Sequence, residues 1–273
     1  MKELNDINNM VTIKQGSKGP EVTRLAKLLG LSPRTVCDKE MSDAMCAYQK
    51  AWGLTADGVF GYKSWKHILI AERYSKNKSG KIVDSDYELF AWLLGCEAIM
   101  IKAFVSVESG GSGFLPSGRP RILFESYQFW KNLKAEGIDP NKYLPEYSDV
   151  ITTKWIKNYK GGEGEWTRME KARKISQGAA NKSASWGMLQ IMGFNYSLCA
   201  EPSITKFVED MGKDEFTQLS LGIEFMRSAG IVPYMISKDF TKLAKKYNGP
   251  GYAANKYDLK LKNAYYSLKS KKN

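Results

Sequence analysis

The stretch LFAWLLGCEAIMIKAFVSVESGG, residues 89–111, decides how the rest of the chain is read. Leu89 through Val107 are almost all apolar, with Glu97 and Lys102 as the interruptions. A membrane-spanning helix needs roughly 18 or more uncharged apolar residues, so this stretch reads as a buried core helix. Ser85-Asp86-Tyr87-Glu88 just upstream is a capping box, Ser followed three residues later by Glu, and marks the helix start. Leu89, Phe90, Leu93, Leu94, Glu97, Ile101, Phe104 and Val105 continue it, and Gly110-Gly111 supplies a left-handed stop. Glu108 sits where this apolar helix ends. A carboxyl half-sunk in apolar surroundings resists ionisation, which is the state a general acid needs at the working pH. The competing reading is a glutamate that simply reaches solvent at a helix end.

Downstream, further amphipathic helices are expected over Ser126–Ala135, Asp149–Tyr159, Glu163–Ser176, Asp214–Ser228, Lys238–Tyr247 and Tyr252–Leu268. Strand signal is thin. Arg121-Ile122-Leu123-Phe124 is its best segment, with room for a small hairpin after Gly111. Upstream, Pro20 suits a first helical turn, and Val22, Leu25 and Leu29 share one face. A second helix fits Ser42–Trp52 and a third Tyr62–Ala71, joined by the glycine-bearing turn Gly53–Gly61. The polar, basic run Ser75–Lys81 reads as a linker. The expected organisation is therefore mainly α: a three-helix module over 1–76, a linker over 77–84, and a larger helical domain with a short hairpin over 85–273.

The whole chain has 273 residues, 43% hydrophobic and 26% charged, as a packed protein with room for two domains would have. The single histidine, His67, excludes a zinc site built on two or three imidazoles, and a Ser-His-Asp system would need that one residue. Cys37, Cys46, Cys96 and Cys199 form no CxxC pair or metal-ligand spacing and read as buried thiols. No metal and no cofactor are therefore expected, and any hydrolysis has to run on carboxylates. Lys plus Arg number 41 against 29 Asp plus Glu, a formal +12. Such a balance draws a protein to polyanions (nucleic acid, an anionic membrane or an anionic cell wall) without choosing among them. The beginning, MKELNDINNMVTIKQ, shows no apolar core of a secretory signal. Lys260, Lys262, Lys269, Lys271 and Lys272 read as a solvated, frayed tail, with attraction to an anionic envelope as the alternative.

Two resemblances sharpen these readings. Gly16, Gly19, Val22, Leu25, Leu28, Tyr48, Gln49, Gly53, Leu54, Asp57, Gly58, Phe60, Gly61, Ser64 and Trp65 resemble the peptidoglycan-binding domain that cell-wall hydrolases carry as an accessory. The family's first glycine turn is missing, replaced by Cys37-Asp38-Lys39-Glu40-Met41. The resemblance implies wall contact through Tyr48, Gln49, Asp57, Phe60 and Trp65, unless these are only the bundle core. Glu108-Ser109, then Ser185–Gly193 around Gln190, then Lys246–Tyr252 resemble the three ordered blocks of the goose-type lysozyme and lytic transglycosylase superfamily. More narrowly, Val107–Phe114, Gly118–Glu125, Tyr159–Gly162, Glu165-Trp166 and Ser183–Tyr196 look like the phage-type N-acetylmuramidase domain of modular endolysins.

What the second resemblance implies is cleavage of the β-1,4 bond between N-acetylmuramic acid and N-acetylglucosamine, with Glu108 as proton donor. Ser109, Gln190, Tyr247, Asn248 and Gly249 would line the cleft, Tyr247 being also placed to hold Glu108. Trp186 would either stack on a sugar ring or pack in the core. The second carboxylate is open: Glu125 is first choice, unless it pairs with Arg119 or Arg121, with Glu163 and Glu165 behind it. Without a second carboxylate the muramic 6-hydroxyl would attack instead, as in a lytic transglycosylase. The partner implied is peptidoglycan, with the enzyme a monomer. It would wait in the cytoplasm of the producing cell until another factor lets it reach the wall in the periplasm. A non-catalytic basic protein binding wall or nucleic acid is the reading from another class. Against a nucleic-acid partner, the aromatics fall at core spacing and no arginine-rich recognition helix is present.

Overall fold

In the computed structural model, residues 11–271 are described. The leader reading over residues 1–10 and Lys272 of the basic end lie outside that range. The described chain divides into two compact units, residues 11–79 with 88–95, and residues 80–87 with 96–271.

The first unit is built from α1 (Pro20–Leu28), α2 (Lys39–Ala51), α3 (Tyr62–Lys76) and most of α4 (Asp84–Leu94). Pro20 opens α1, and the Asp38 side chain caps α2 by accepting from the Met41 N–H. Val22, Leu25, Met41, Met45, Phe60, Trp65 and Leu69 fill the core. Helix α3 runs five residues beyond the expected Ala71. The run read as a linker is tied down at both ends. In the first unit the buried Arg73 guanidinium donates to Asn77 O (3.1 Å) and Ser79 O (2.6 Å). In the second, the Phe216 N–H donates to Gly80 O (3.1 Å).

The apolar stretch 89–107 is two helices rather than one, α4 and α5 (Ala98–Ser109). Gly95 takes φ +68, a left-handed conformation that ends α4, and Glu97 is the extended N-cap of α5. The expected capping box shifts too. Helix α4 begins at Asp84, and it is Asp86 that reaches back to the Val83 N–H (3.0 Å). Among the described residues no single helix is long and apolar enough to cross a membrane.

The second unit continues with β1 (Ile122–Phe124), α6 (Ser126–Ala135), α7 (Leu144–Tyr147), α8 (Glu163–Arg173) and α9 (Gln177–Lys182). There follow β2 (Ala184–Trp186), β3 (Ile191–Met192), α10 (Ile204–Met211), α11 (Glu215–Ser228), α12 (Val232–Ser237), α13 (Phe240–Asn248) and α14 (Tyr257–Ser270). The three short strands form one antiparallel sheet in the order β1-β2-β3, with Ile122 opposite Trp186 and Trp186 opposite Ile191. The fold is mainly α with a small sheet, as expected. Helix α14 packs along α5 and α13. It stays helical to Ser270, so the basic end is not frayed there, and Lys269 approaches Glu97 at 3.7 Å.

The helix expected over Asp149–Tyr159 does not form. Only Val150 and Ile151 of its apolar residues are buried, while Trp155 and Ile156 face solvent, so no continuous stripe rewards helix formation. Asn158 instead donates to Asp149 O (3.1 Å) and Ser126 Oγ (3.0 Å), holding the segment as a loop. The long helix expected from Glu163 is likewise cut at Arg173, and Ser176 caps the separate α9 through the Ala179 N–H.

Candidate active site

Helix α5 carries Glu108 in its last turn, after a buried face of Ile101, Phe104 and Val105. Gly110, at φ +65, closes the helix in the left-handed conformation that glycine adopts without strain. Glu108 opens onto a cleft of about 700 Å³ lined also by Glu125, Gln190, Tyr247, Asn248 and Gly249. Burial pushes its carboxyl up to about 7, against a hydrogen bond from the Tyr257 hydroxyl and the charge of Lys260, which pull the other way. At neutral pH the group is therefore about half protonated, whereas an ordinary glutamate would be almost wholly ionised.

The phenol on Glu108 is Tyr257, which begins α14, and not Tyr247. The Tyr247 hydroxyl donates to Leu189 O. Its ring lies parallel to that of Tyr257 (centroids 6.0 Å apart, planes at 11°) and packs on Phe104 and Phe225. Tyr247 thus ties α13 to the β2–β3 turn and backs the residue that holds the acid.

Glu125 leaves the end of β1 at the N-cap of α6, and its backbone N–H bonds Ser183 O (2.9 Å). The expected ion pair with Arg119 or Arg121 is absent. Arg119 lies over the Trp166 ring, and Arg121 Nε donates to Ser112 O (3.2 Å). The Tyr159 hydroxyl reaches Glu125 Oε1 at 2.6 Å. Burial raises the Glu125 carboxyl above its ordinary range, opposed by that hydroxyl, by Arg168 and by a hydrogen bond from the Trp155 side chain. Trp155 is 61% exposed, so its indole is open to solvent.

Glu165 and Glu163 do not line the cleft. Glu165 is fully buried and accepts from Phe124 N (3.0 Å), Lys160 N (2.5 Å), Gly161 N (3.0 Å) and Arg168 Nη1 (2.8 Å). Arg168 continues to Phe124 O (3.0 Å) and Asn158 Oδ1 (2.9 Å). This buried pair fixes the end of β1, from which Glu125 departs, and the loop that carries Tyr159. Glu163 is exposed in the first turn of α8.

Of three other nominated residues, Trp186 takes the second of its two expected readings, and Ser109 and Gln190 play different parts from those expected. Trp186 is fully buried and its Nε1 donates to Asn181 O (2.9 Å), so it is core and not a sugar platform. The Ser109 hydroxyl turns back on its own helix to Val105 O (3.1 Å). Gln190 does line the cleft, but its amide bonds Ser185 Oγ (2.8 Å), Gly187 O (2.8 Å) and Arg121 O (3.4 Å), which braces the hairpin at a φ of +45. Its floor is set by Gln218, which is buried and bonds Met188 N (2.8 Å) and Met211 O (2.7 Å). A Cβ at Gly113 would fall 1.9 Å from the Gln218 amide oxygen, so only glycine fits there.

Tyr257 and Trp155 carry no local mark in the sequence, and Tyr159 stands there only as the start of the block Tyr159–Gly162, with no role attached. They are three aromatics among 15 tyrosines and 7 tryptophans. In the first unit, Gln49, Phe60 and Trp65 are all buried, and Asp57 braces its own turn through the Val59 N–H (2.9 Å). The Gln49 amide bonds Val59 O, Ser64 Oγ and Gly58 N, which makes it a fastener of the glycine turn. Of the five residues proposed for wall contact, Asp57 is exposed and Tyr48 half-buried. Among the described residues no group of three His, Cys, Asp or Glu side chains stands together to hold a metal ion.

Two half-buried carboxyls from different elements lining one cleft, in a mainly helical domain with a small sheet, describe a lysozyme-like glycosidase. The N-acetylmuramidase family model matches residues 97–269, which contain Glu108, Glu125 and Tyr257, and the chain belongs to that family. It is a peptidoglycan hydrolase, a glycoside hydrolase of lysozyme type. The crystal structure of the Burkholderia AP3 phage endolysin superposes with a TM-score of 0.63 at 30% identity, covering 96% of this chain and 99% of that one. No curated protein matches the chain.

Proposed function

We propose that Glu108 is the general acid and Glu125 the general base of a muramidase that cleaves the β-1,4 bond from N-acetylmuramic acid to N-acetylglucosamine. The observation that carries this reading is the enclosed Glu108 carboxyl. It is raised to about 7 by burial, held by one phenol, and faces a cleft that also contains Glu125. A protonated carboxyl beside the bridging oxygen donates to the leaving sugar, and the second carboxylate takes a proton from the attacking water. Tyr159 steadies Glu125 for that role, and Asn248 in the cleft lining supplies an amide for the sugar's polar groups.

The first unit acts as the wall-binding module of a phage endolysin, holding the catalytic unit at high local concentration on an insoluble polymer. The residue pattern of its glycine turn supports this, as does a net +12 that favours an anionic envelope. The enzyme works as a monomer and reaches the wall from inside the producing cell once another factor opens the membrane.

Mass spectrometry of fragments released from purified peptidoglycan tests the chemistry. Reducing muramic ends are expected. Fragments lighter by one water would mean an anhydro product and remove Glu125 from the role of base. Glu125→Gln should slow release by about 10²-fold, and near-normal release would have the same consequence.

A further inference from the structure

The surface of the first unit holds an aromatic group that the resemblance did not nominate. Trp52, at the C-cap of α2, is 57% exposed. Its ring lies 4.8 Å from that of His67 and 6.4 Å from that of Tyr48. The Tyr48 hydroxyl and His67 Nδ1 are 2.6 Å apart. Three rings from α2 and α3 thus meet at one place, with the largest of them open to solvent.

This arrangement is costly to leave in water without a use, since an indole is among the largest apolar surfaces a side chain can bury. Its edges are polar. Burial raises the Tyr48 hydroxyl to about 12, so it keeps its hydrogen, and the imidazole tautomer sets which of the two groups donates in its bond to His67 Nδ1. Burial also lowers His67 below its ordinary value, which favours the neutral ring. In either neutral tautomer the ring offers one polar nitrogen at Nε2, a donor when Nδ1 accepts and an acceptor when Nδ1 donates. A flat apolar plate beside a polar imidazole edge and a phenol oxygen matches a hexopyranose, whose one face is C–H and whose periphery is hydroxyl and acetamido groups that can both donate and accept. A protein partner fits less well, because the other exposed large apolar side chains described in this unit are single valines, Val11, Val36 and Val59, and make no extended apolar patch with it.

We infer that Trp52, His67 and Tyr48 form a glycan subsite that takes one N-acetylated pyranose of the peptidoglycan strand, Trp52 stacking on the ring and His67 and Tyr48 meeting its polar edge. This rests on the reading of the first unit as a wall-binding module and gives that module a definite surface. The nominated residues Gln49, Phe60 and Trp65 then serve to hold the shelf in place from beneath. Because Trp52 is exposed at a helix end, its removal leaves the core of the unit intact.

The test uses the full chain carrying Glu108→Gln, so that the wall is not degraded during the measurement. Co-sedimentation with purified sacculi should show retention, and adding Trp52→Ala should weaken it by about 10-fold with unchanged circular dichroism. Tetra-N-acetylchitotetraose should displace the parent from sacculi, and the free stem peptide should not. If the parent chain is not retained at all, the wall-binding reading fails and the subsite falls with it. If the parent is retained and Trp52→Ala is retained equally, the subsite alone is wrong. Displacement by the stem peptide and not by the sugar would overturn the assignment of the ligand. His67→Ala gives a second variant, which should weaken retention less than Trp52→Ala, and an unchanged value there would remove His67 from the subsite.

Discussion

Glu108 and Glu165 are both drawn into the protein beside aromatic and apolar groups, yet their surroundings suit them to opposite tasks. Glu165 meets three backbone N–H groups and the Arg168 guanidinium, a full set of donors for an anion. Glu108 accepts from a single phenol, feels the charge of Lys260 without bonding it, and lines the cleft. Burial alone does not make a proton donor; burial without enough donors does. One glutamate becomes an anchor for β1 and its loop, and the other becomes a titrating acid.

The contrast can be pressed by substitution. Glu108→Gln should lower peptidoglycan clearance by about 10²–10⁴-fold, the usual worth of a general acid, without unfolding the protein. Clearance near wild type would mean that the anchor and the acid had been confused. Glu165→Gln should act the other way round, costing about 3–5 kcal/mol of stability because Arg168 is left buried with its charge uncompensated. Denaturant unfolding would register that loss, while an unaltered midpoint would show that the pair is not holding β1.

A smaller effect concerns pH. The folded Glu108 carboxyl lies above its unfolded value, so the folded state binds this proton more tightly than the unfolded chain. Its contribution to stability is complete below about pH 4.5 and lost as pH rises towards 7. The stability of Glu108→Gln relative to wild type should therefore increase across that window and level off above it. A difference independent of pH would mean that the carboxyl is not buried in solution. The smallest shift is expected from Tyr257→Phe. The lost hydrogen bond favoured the ionised carboxylate, so the limb of the rate profile governed by Glu108 should move to higher pH. A limb that stays in place would remove the phenol from control of the acid.

Much of this was legible in the chain. Glu108 declared itself because a charged residue ended an apolar run beside two glycines, and Glu125 because it followed Arg-Ile-Leu-Phe. Both signals are local, and both residues line one cleft. What failed were inferences about partners. Tyr247 and Tyr257 are ten positions apart in the same kind of sequence, and only the packing of α14 on α5 decides which reaches Glu108. Trp186 and Gln190 belong to a block whose pattern is shared by core and cleft alike, since a hairpin so close to substrate must first be braced from within. The break at Gly95 was missed because hydrophobic periodicity is strong on either side of it, and one positive φ leaves no mark on that pattern.

Helix α14 also grips α5 twice. Tyr265 donates to Glu97 at one end of α5, and Tyr257 donates to Glu108 at the other. Glu108 and Tyr257 are 149 positions apart. During synthesis the carboxyl therefore leaves the ribosome long before the phenol that steadies it, and a chain clipped short of Tyr257 keeps the acid but loses its clamp. On the proposed mechanism, the acid is complete only once a residue 149 positions after it has been made.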